Sequence, residues 1–125
     1  MVLMKFSAMA QNSMSIPNVS TGAASQAIVA VNITNANAFT GFQLDIPLPA
    51  GISYVANTAA INPSRSNGHI LSAAIVGGST LRIIAFSFSN AQFNGSSGAV
   101  ASFSLLTSAV PGDYPLQILN AVISG

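Results

Sequence analysis

The sequence FTGFQLDIPLPAG at residues 39–51 alternates apolar and polar side chains and then stops at a Pro-Ala-Gly turn. In a pleated β-strand, successive side chains point to opposite faces of the sheet. Phe42, Leu44 and Ile46 therefore share one face, and Gln43 and Asp45 share the other. This alternation predicts a strand with one face buried in a core and one face turned outward.

A second stretch, LRIIAFSFSNAQFNGSSGAV at residues 81–100, begins with apolar residues at odd and even positions alike. A strand that is apolar on both faces is typical of the middle of a sheet. We therefore expect this strand to be central, with Ile83 and Phe86 on opposite buried faces. Because phenylalanine is usually buried, the core or loop plugs are expected to include Phe39, Phe42, Phe86, Phe88, Phe93 and Phe103.

The rest of the chain repeats this kind of pattern without a competing helical period. Seven to nine strand candidates follow one another at intervals of about 8 to 12 residues, separated by Gly, Pro, Asn and Ser, which is typical of an all-β sandwich or jelly roll. Gly77-Gly78 predicts a tight hairpin, because glycine readily adopts positive φ. The candidates are residues 13–16, 25–33, 40–48, 52–55, 59–61, 69–76, 80–88, 99–106 and 114–124.

Length and hydropathy indicate one domain outside a membrane. A chain of 125 residues has the size of a single domain, and we assign residues 12–125 to it. No segment reaches the roughly 18 consecutive apolar residues of a membrane helix, so membrane insertion is not expected. Residues 1–11 are interpreted as a leader or an added, non-native segment because Ala8 and Ala10 form a small-x-small pattern; a first strand is the alternative.

Charge is scarce in this sequence. It has three Lys and Arg and two acidic residues, with a net charge of +1, whereas Ser, Asn and Thr are abundant. Nucleic acids and anionic membranes are bound through clustered Lys and Arg, so neither is an expected partner. A neutral polysaccharide or a polar protein surface suits hydroxyl and amide groups better, and the low net charge leaves little repulsion against self-association.

Four segments, in order along the chain, carry a resemblance to a known family: GFQLDIPLPAGISY, SNGHILSA, LRIIAFSFSNAQFNGSSGAVASFSL and PGDYPLQILNAVIS. From about residue 13 to 124 the chain resembles the cohesin-like modules of secreted proteins from Bacteroidetes-type bacteria. The resemblance implies a two-sheet antiparallel jelly-roll sandwich of about nine strands. It also implies an extracellular or cell-surface location and a non-catalytic role in binding or assembly, without naming the ligand.

Catalytic and metal chemistry find little support in the sequence. A glycosidase needs two placed carboxylates, and the acidic residues are Asp45 in a strand and Asp113 in a turn. His69 has no nucleophile-elbow pattern to work with, so no enzyme activity and no cofactor are expected. One histidine and no cysteine exclude a typical zinc site, and a single carboxylate makes a poor calcium site.

Six polar residues form the candidate ligand-binding set. Two interpretations stay open: a cross-strand ion pair between Asp45 and Arg82 with His69 satisfied nearby, or a recognition surface, since charge is otherwise so scarce. The set comprises Gln43, Asp45, Arg65, Asn67, His69 and Arg82.

Two classes of function follow. The first is a non-catalytic extracellular module that binds a protein partner, as cohesins bind dockerins, or a polysaccharide. The second is a structural subunit that packs its sheet edges against copies of itself in a filament or surface layer.

Overall fold

The computed structural model describes residues 12–125, which form nine strands in two antiparallel sheets. The predicted all-β jelly-roll sandwich is confirmed, and the described residues contain no helix. The strands are β1 (Asn12–Ser15), β2 (Gln26–Asn35), β3 (Gly41–Pro47), β4 (Ser53–Tyr54), β5 (Ala60–Ile61), β6 (Ile70–Val76), β7 (Thr80–Phe86), β8 (Ala99–Leu106) and β9 (Leu119–Ser124).

One sheet has five strands and the other has four. The first has the order β1-β2-β8-β4, with β5 also pairing to β8. The second has the order β6-β7-β3-β9, so that β7 and β3 lie in the middle and β6 and β9 at the edges. The predicted leader or added segment at residues 1–11 lies outside the described residues.

The core lies between the two sheets and follows the period-2 pattern of the sequence. Phe42, Leu44 and Ile46 of β3 face inward and are almost completely buried, as the alternation predicts. They pack against the inward side chains of β2 and β8 in the other sheet. These are Ala27, Val29, Val31, Ile33, Val100, Ala101, Phe103 and Leu105.

The β6–β7 hairpin is confirmed where Gly77-Gly78 predicts it. Both glycines have positive φ, at 60° and 89°, and Val76 pairs with Thr80 at the end of the ladder. The last strand is shorter than predicted: it begins at Leu119 rather than at residue 114. Asn120, with φ of 54°, lies where the pairing of β9 with β3 shifts by one residue.

The prediction for β7 is only half right. The strand is central, since β6 and β3 flank it, and Leu81, Ile83 and Ala85 are buried. Phe86, however, is exposed on the outer side, and so is Phe88 beyond the end of the strand. Placing both in the core was therefore wrong: Phe86 lies on the outward side of this sheet, which the described residues do not cover.

Candidate binding surface

An ion pair lies in the middle of the outward side of the four-stranded sheet. Asp45 of β3 and Arg82 of β7 are direct cross-strand partners. Arg82 donates from Nε to Asp45 Oδ1 at 2.8 Å and from Nη2 to Oδ2 at 3.0 Å. This two-point contact is the fork geometry that makes arginine–carboxylate pairs strong and directional. The cross-strand pair predicted from the sequence is confirmed.

The two partners differ in exposure. The side chain of Asp45 is 5% exposed, whereas that of Arg82 is 42% exposed. Asn120 on β9 adds a third hydrogen bond by donating to Asp45 Oδ2 at 2.9 Å. The hydrogen bond from Arg82, followed by that from Asn120, lowers the pKa of the Asp45 carboxyl from 3.8 to about 2. The same contact raises the pKa of the Arg82 guanidinium.

This arrangement predicts a defined response to acid. A carboxyl with a lower pKa in the folded chain stabilises the fold fully above its unfolded pKa, and that contribution is lost as the pH falls through the folded value. The loss should therefore occur between about pH 4 and about pH 2. Asp45→Asn should remove most of this pH dependence, because the only other acidic side chain in the sequence is Asp113.

Melting temperatures of the wild type and of Asp45→Asn, measured from pH 5 to about pH 2, test this expectation. Asp113→Asn serves as the matched control and should keep the acid response of the wild type. Parallel pH profiles for the wild type and Asp45→Asn would show that the ion pair does not couple protonation to folding.

Exposed apolar side chains lie on the same side of the sheet as the ion pair. Phe86 at the end of β7 is 36% exposed and Phe88 is 86% exposed, and their rings meet edge to face with centroids 5.4 Å apart. Ile70 of β6 pairs with Phe86, and Val122 of β9 pairs with Gln43; both are exposed. We call the outward side chains of β6, β7, β3 and β9, together with Phe88, the outer face.

A groove of about 290 Å³ opens on the outer face. Its lining includes Gly41, Gln43, Ile84, Phe86, Asn90 and Val122. Gly41 is required at the floor because a Cβ atom there would lie 2.9 Å from the carbonyl oxygen of Ala85. The groove thus combines aliphatic and aromatic walls with two amide side chains, and it is open to solvent.

The other three predicted residues occupy a different place. Arg65, Asn67 and His69 lie between β5 and β6, at the end of the sandwich where β2 ends and β8 begins. The Arg65 side chain donates to the carbonyl oxygens of Ile33, Asn94 and Gly98 and to Asn35 Oδ1, at 2.7 to 2.9 Å. Burial lowers the pKa of Arg65. Its charge is therefore matched by backbone and amide dipoles instead of a carboxylate.

His69 is buried and hydrogen-bonded on both ring nitrogens. Its Nδ1 accepts from the backbone N–H of Asn67 at 2.9 Å, so the ring proton belongs on Nε2. Nε2 lies 2.8 Å from the carbonyl oxygen of Ala91 and 3.1 Å from that of Thr40. Asn67 and Asn94 exchange side-chain hydrogen bonds in both directions.

Three aromatic rings and the planar guanidinium of Arg65 lie one on another at this end of the sandwich, and we call them the column. The Arg65 guanidinium carbon lies 5.8 Å from the ring centroid of Phe39. Phe39 stacks on Phe93 with centroids 4.7 Å apart, and Phe93 stacks on His69 at 3.7 Å. The column packs the segment before β6 against the segment between β7 and β8. Its residues therefore stabilise the fold at this end of the sandwich.

The six candidate residues therefore fall into two groups instead of sharing one face. Gln43, Asp45 and Arg82 lie on the outer face, and no hydrogen bond, ion pair or ring contact among the described residues joins them to Arg65, Asn67 or His69. The expectation that His69 lies beside the ion pair is not met. The reason is that Nε2 of His69 contacts the carbonyl oxygens of Thr40 and Ala91 and its ring stacks on Phe93, contacts that the strand pattern does not locate.

The apolar part of the outer face was missed as a functional feature. Phe86, Phe88 and Val122 were available in the sequence, and the signal was the doubly apolar β7 followed by SFSN. A strand that is apolar on both faces is buried on both only if something covers its second face. Among residues 12–125 nothing does.

The described residues offer neither a metal site nor a membrane-spanning helix. No group of three or more His, Cys, Asp or Glu side chains is placed to hold a metal ion. None of the described segments forms a helix long and apolar enough to cross a bilayer.

Solved structures give the clearest comparison. The sixth cohesin of scaffoldin B from Acetivibrio cellulolyticus, in complex with a Cel5 dockerin, matches with a TM-score of 0.73 and 13% identity over 90% of this chain and 85% of that one. The cohesin of the OlpA–Doc918 cohesin–dockerin complex from Clostridium thermocellum matches with a TM-score of 0.71 and 12% identity over 89% and 82%. A non-cellulosomal cohesin from Archaeoglobus fulgidus matches with a TM-score of 0.69 and 13% identity over 90% and 77%.

Comparison of the amino-acid sequence, by contrast, finds no matching relative. No protein-family model matches the chain, and no curated protein sequence matches it. The likeness is therefore one of architecture, and it agrees with the strand order and the two-sheet core described above. This chain has the cohesin fold.

Proposed function

We propose that this protein is a non-catalytic, extracellular module that binds a dockerin-type protein partner through its outer face. The observation that carries the proposal is the exposed aromatic pair Phe86–Phe88 on a regular sheet surface. Contiguous exposed apolar side chains on a folded domain commonly mark an interaction site. Aromatic residues and arginine are also the side chains that most often dominate protein interfaces.

The solved structures support the class of partner. Two of the cohesins with this fold were determined in complex with dockerins. Since identity is 12 to 13%, the details of any interface must come from this chain's own residues. Its outer face offers three features: an aromatic pair, a groove and an arginine with hydrogen-bonding capacity left over.

Arg82 supplies the polar contact. Its Nε and Nη2 are used by Asp45, whereas its Nη1 donates to no acceptor among the described residues. The guanidinium is already held in place by Asp45, so little side-chain entropy is lost when a partner binds. A partner carboxylate or backbone carbonyl next to apolar side chains would meet Nη1 while filling the groove beside Phe86.

The same pair argues against catalysis at this surface. Asp45 accepts hydrogen bonds from Arg82 and Asn120, and these contacts keep its pKa at about 2. A general acid or base works best with a pKa near the operating pH. Asp45 is therefore suited to orienting Arg82.

The proposal predicts tight binding to a dockerin and a strong effect of the aromatic pair. The dockerin modules encoded in the genome that carries this gene would be titrated one by one by calorimetry. At least one should bind, and Phe88→Ala should weaken that complex by at least about tenfold, because exposed aromatic anchors contribute most of the binding energy in such interfaces.

Ile28 provides the matched control. It is an apolar residue that is 72% exposed, and it lies on β2 in the five-stranded sheet. Ile28→Ala should leave the affinity unchanged. The proposal is wrong if no dockerin binds, or if Ile28→Ala weakens the complex while Phe88→Ala does not.

A further inference from the structure

The strand β6 presents an open edge. It pairs with β7 on one side through seven consecutive residues without a register shift. On its other side, residues 70–76 make no backbone hydrogen bond within the described part of the chain. A row of N–H and C=O groups on an edge strand is a ready template for pairing with another strand.

The other described edge strands have features that hinder pairing with a further strand, and β6 has none of them. β9 carries a register shift opposite Gln43 and Asp45, β1 has four residues, and β4 and β5 have two each. Short strands, bulges, charges and proline are the usual devices that protect an edge from pairing. The β6 sequence ILSAAIV has no charge, no proline and no glycine.

The sequence of β6 is also complementary to itself. When it is paired antiparallel about a centre at Ala73, Ile70 falls opposite Val76, Leu71 opposite Ile75, and Ser72 opposite Ala74. Apolar residues then meet apolar residues on both faces of the extended sheet, and small residues meet at the centre. Ile70 and Ile75, both exposed in the single chain, would be covered.

We propose that β6 pairs with β6 of a second copy of this chain across a two-fold axis at Ala73. Such an interface is isologous, because the same strand is used by both copies. It joins two four-stranded sheets into one eight-stranded antiparallel sheet and leaves Phe86 and Phe88 of each copy exposed. Edge pairing is thus separate from partner binding on the outer face.

Charge does not oppose this pairing. The whole sequence carries a net charge of +1, and the charged side chain next to β6 is Arg82, opposite Ala74. That guanidinium is held by Asp45. Long-range repulsion between two copies is therefore weak.

Sedimentation equilibrium over a range of concentrations tests the dimer. The wild type should reach twice the monomer mass, and Ser72→Lys, which places a charge on the exposed edge, should weaken dimerisation by at least about tenfold, because the two-fold axis brings a new lysine from each copy into the same interface. Ser13→Lys makes the same change on β1, the edge of the other sheet, and should dimerise like the wild type. A monomeric wild type, or equal effects of the two variants, would overturn the proposal.

Disulfide trapping tests the position of the axis independently, because the sequence contains no cysteine. Directly opposed residues of an antiparallel pair have Cβ atoms about 4.5 to 5.5 Å apart. Ala73→Cys should therefore cross-link to a covalent dimer under mild oxidation, whereas Val76→Cys, three residues from the axis, should not. Cross-linking of both variants alike, or of neither, would refute the register. Phe88→Ala should leave the dimer intact, so a failure here is distinguishable from a failure of dockerin binding.

Discussion

Arg65→Met should lower the free energy of unfolding by about 3 to 5 kcal/mol, the range expected when one member of a buried polar network is removed. Arg65 is 5% exposed, and its guanidinium donates to four acceptors from two parts of the chain, residues 33–35 and residues 94–98. Methionine fills much of the same volume but donates no hydrogen bond, so all four acceptors lose their Arg65 donor, although the carbonyl oxygen of Gly98 still accepts from the backbone N–H of Ile33. The loss should be visible as a lower midpoint in urea denaturation at unchanged m-value.

Arg65→Lys separates the contribution of the positive charge from that of the several hydrogen bonds that the planar guanidinium donates. Lysine keeps the positive charge but has a single nitrogen that cannot reach acceptors arranged around a planar guanidinium. It should therefore recover only part of the stability lost in Arg65→Met. A change of less than about 1 kcal/mol in Arg65→Met, which is the scale of a surface substitution, would show that the network does not hold this end of the sandwich.

Phe39→Ala is expected to cost a similar amount, about 3 to 5 kcal/mol, the usual range for truncating a buried phenylalanine. Phe39 is fully buried and lies between Phe93 and Arg65 in the column. Alanine would leave a cavity next to an arginine that relies on close packing around it. Thermal and chemical denaturation should both report the loss.

Phe86→Ala is the matched control for that variant. The same side chain is removed, but Phe86 lies on the outer face and is 36% exposed. We expect a cost of about 1 kcal/mol or less, typical of a partly exposed position. Equal losses for Phe39→Ala and Phe86→Ala would contradict the assignment of Phe86 to a free surface.

Much of the fold could be predicted from local patterns. Alternation in residues 26–35 and 41–47 identified the inward side chains of β2 and β3. Gly77-Gly78 located the β6–β7 hairpin. Asp45 and Arg82 could be paired because each lies between inward-facing neighbours and opposite charges are rare in this chain. These features depend on residues that are close in sequence or on the period of a strand.

The errors arise where tertiary context decides. In β7 the sequence cannot distinguish a second face covered by the same chain from one left open, so Phe86 was placed in the core. Arg65 and His69 were grouped with Asp45 because they are ionisable. Their acceptors are mostly backbone carbonyls of residues 33, 40, 91, 94 and 98, and a carbonyl carries no sequence signal.

Hydrogen–deuterium exchange on the dockerin complex tests the central claim most directly, because it locates the contact surface on this chain. Binding should slow exchange in residues 41–47, 80–88 and 119–124, which carry the ion pair, the aromatic pair and most of the groove lining on the outer face. Residues 26–35 and 99–106, in the middle of the other sheet, should exchange as they do in the free protein. Protection of the five-stranded sheet, with none on β3 and β7, would contradict the account.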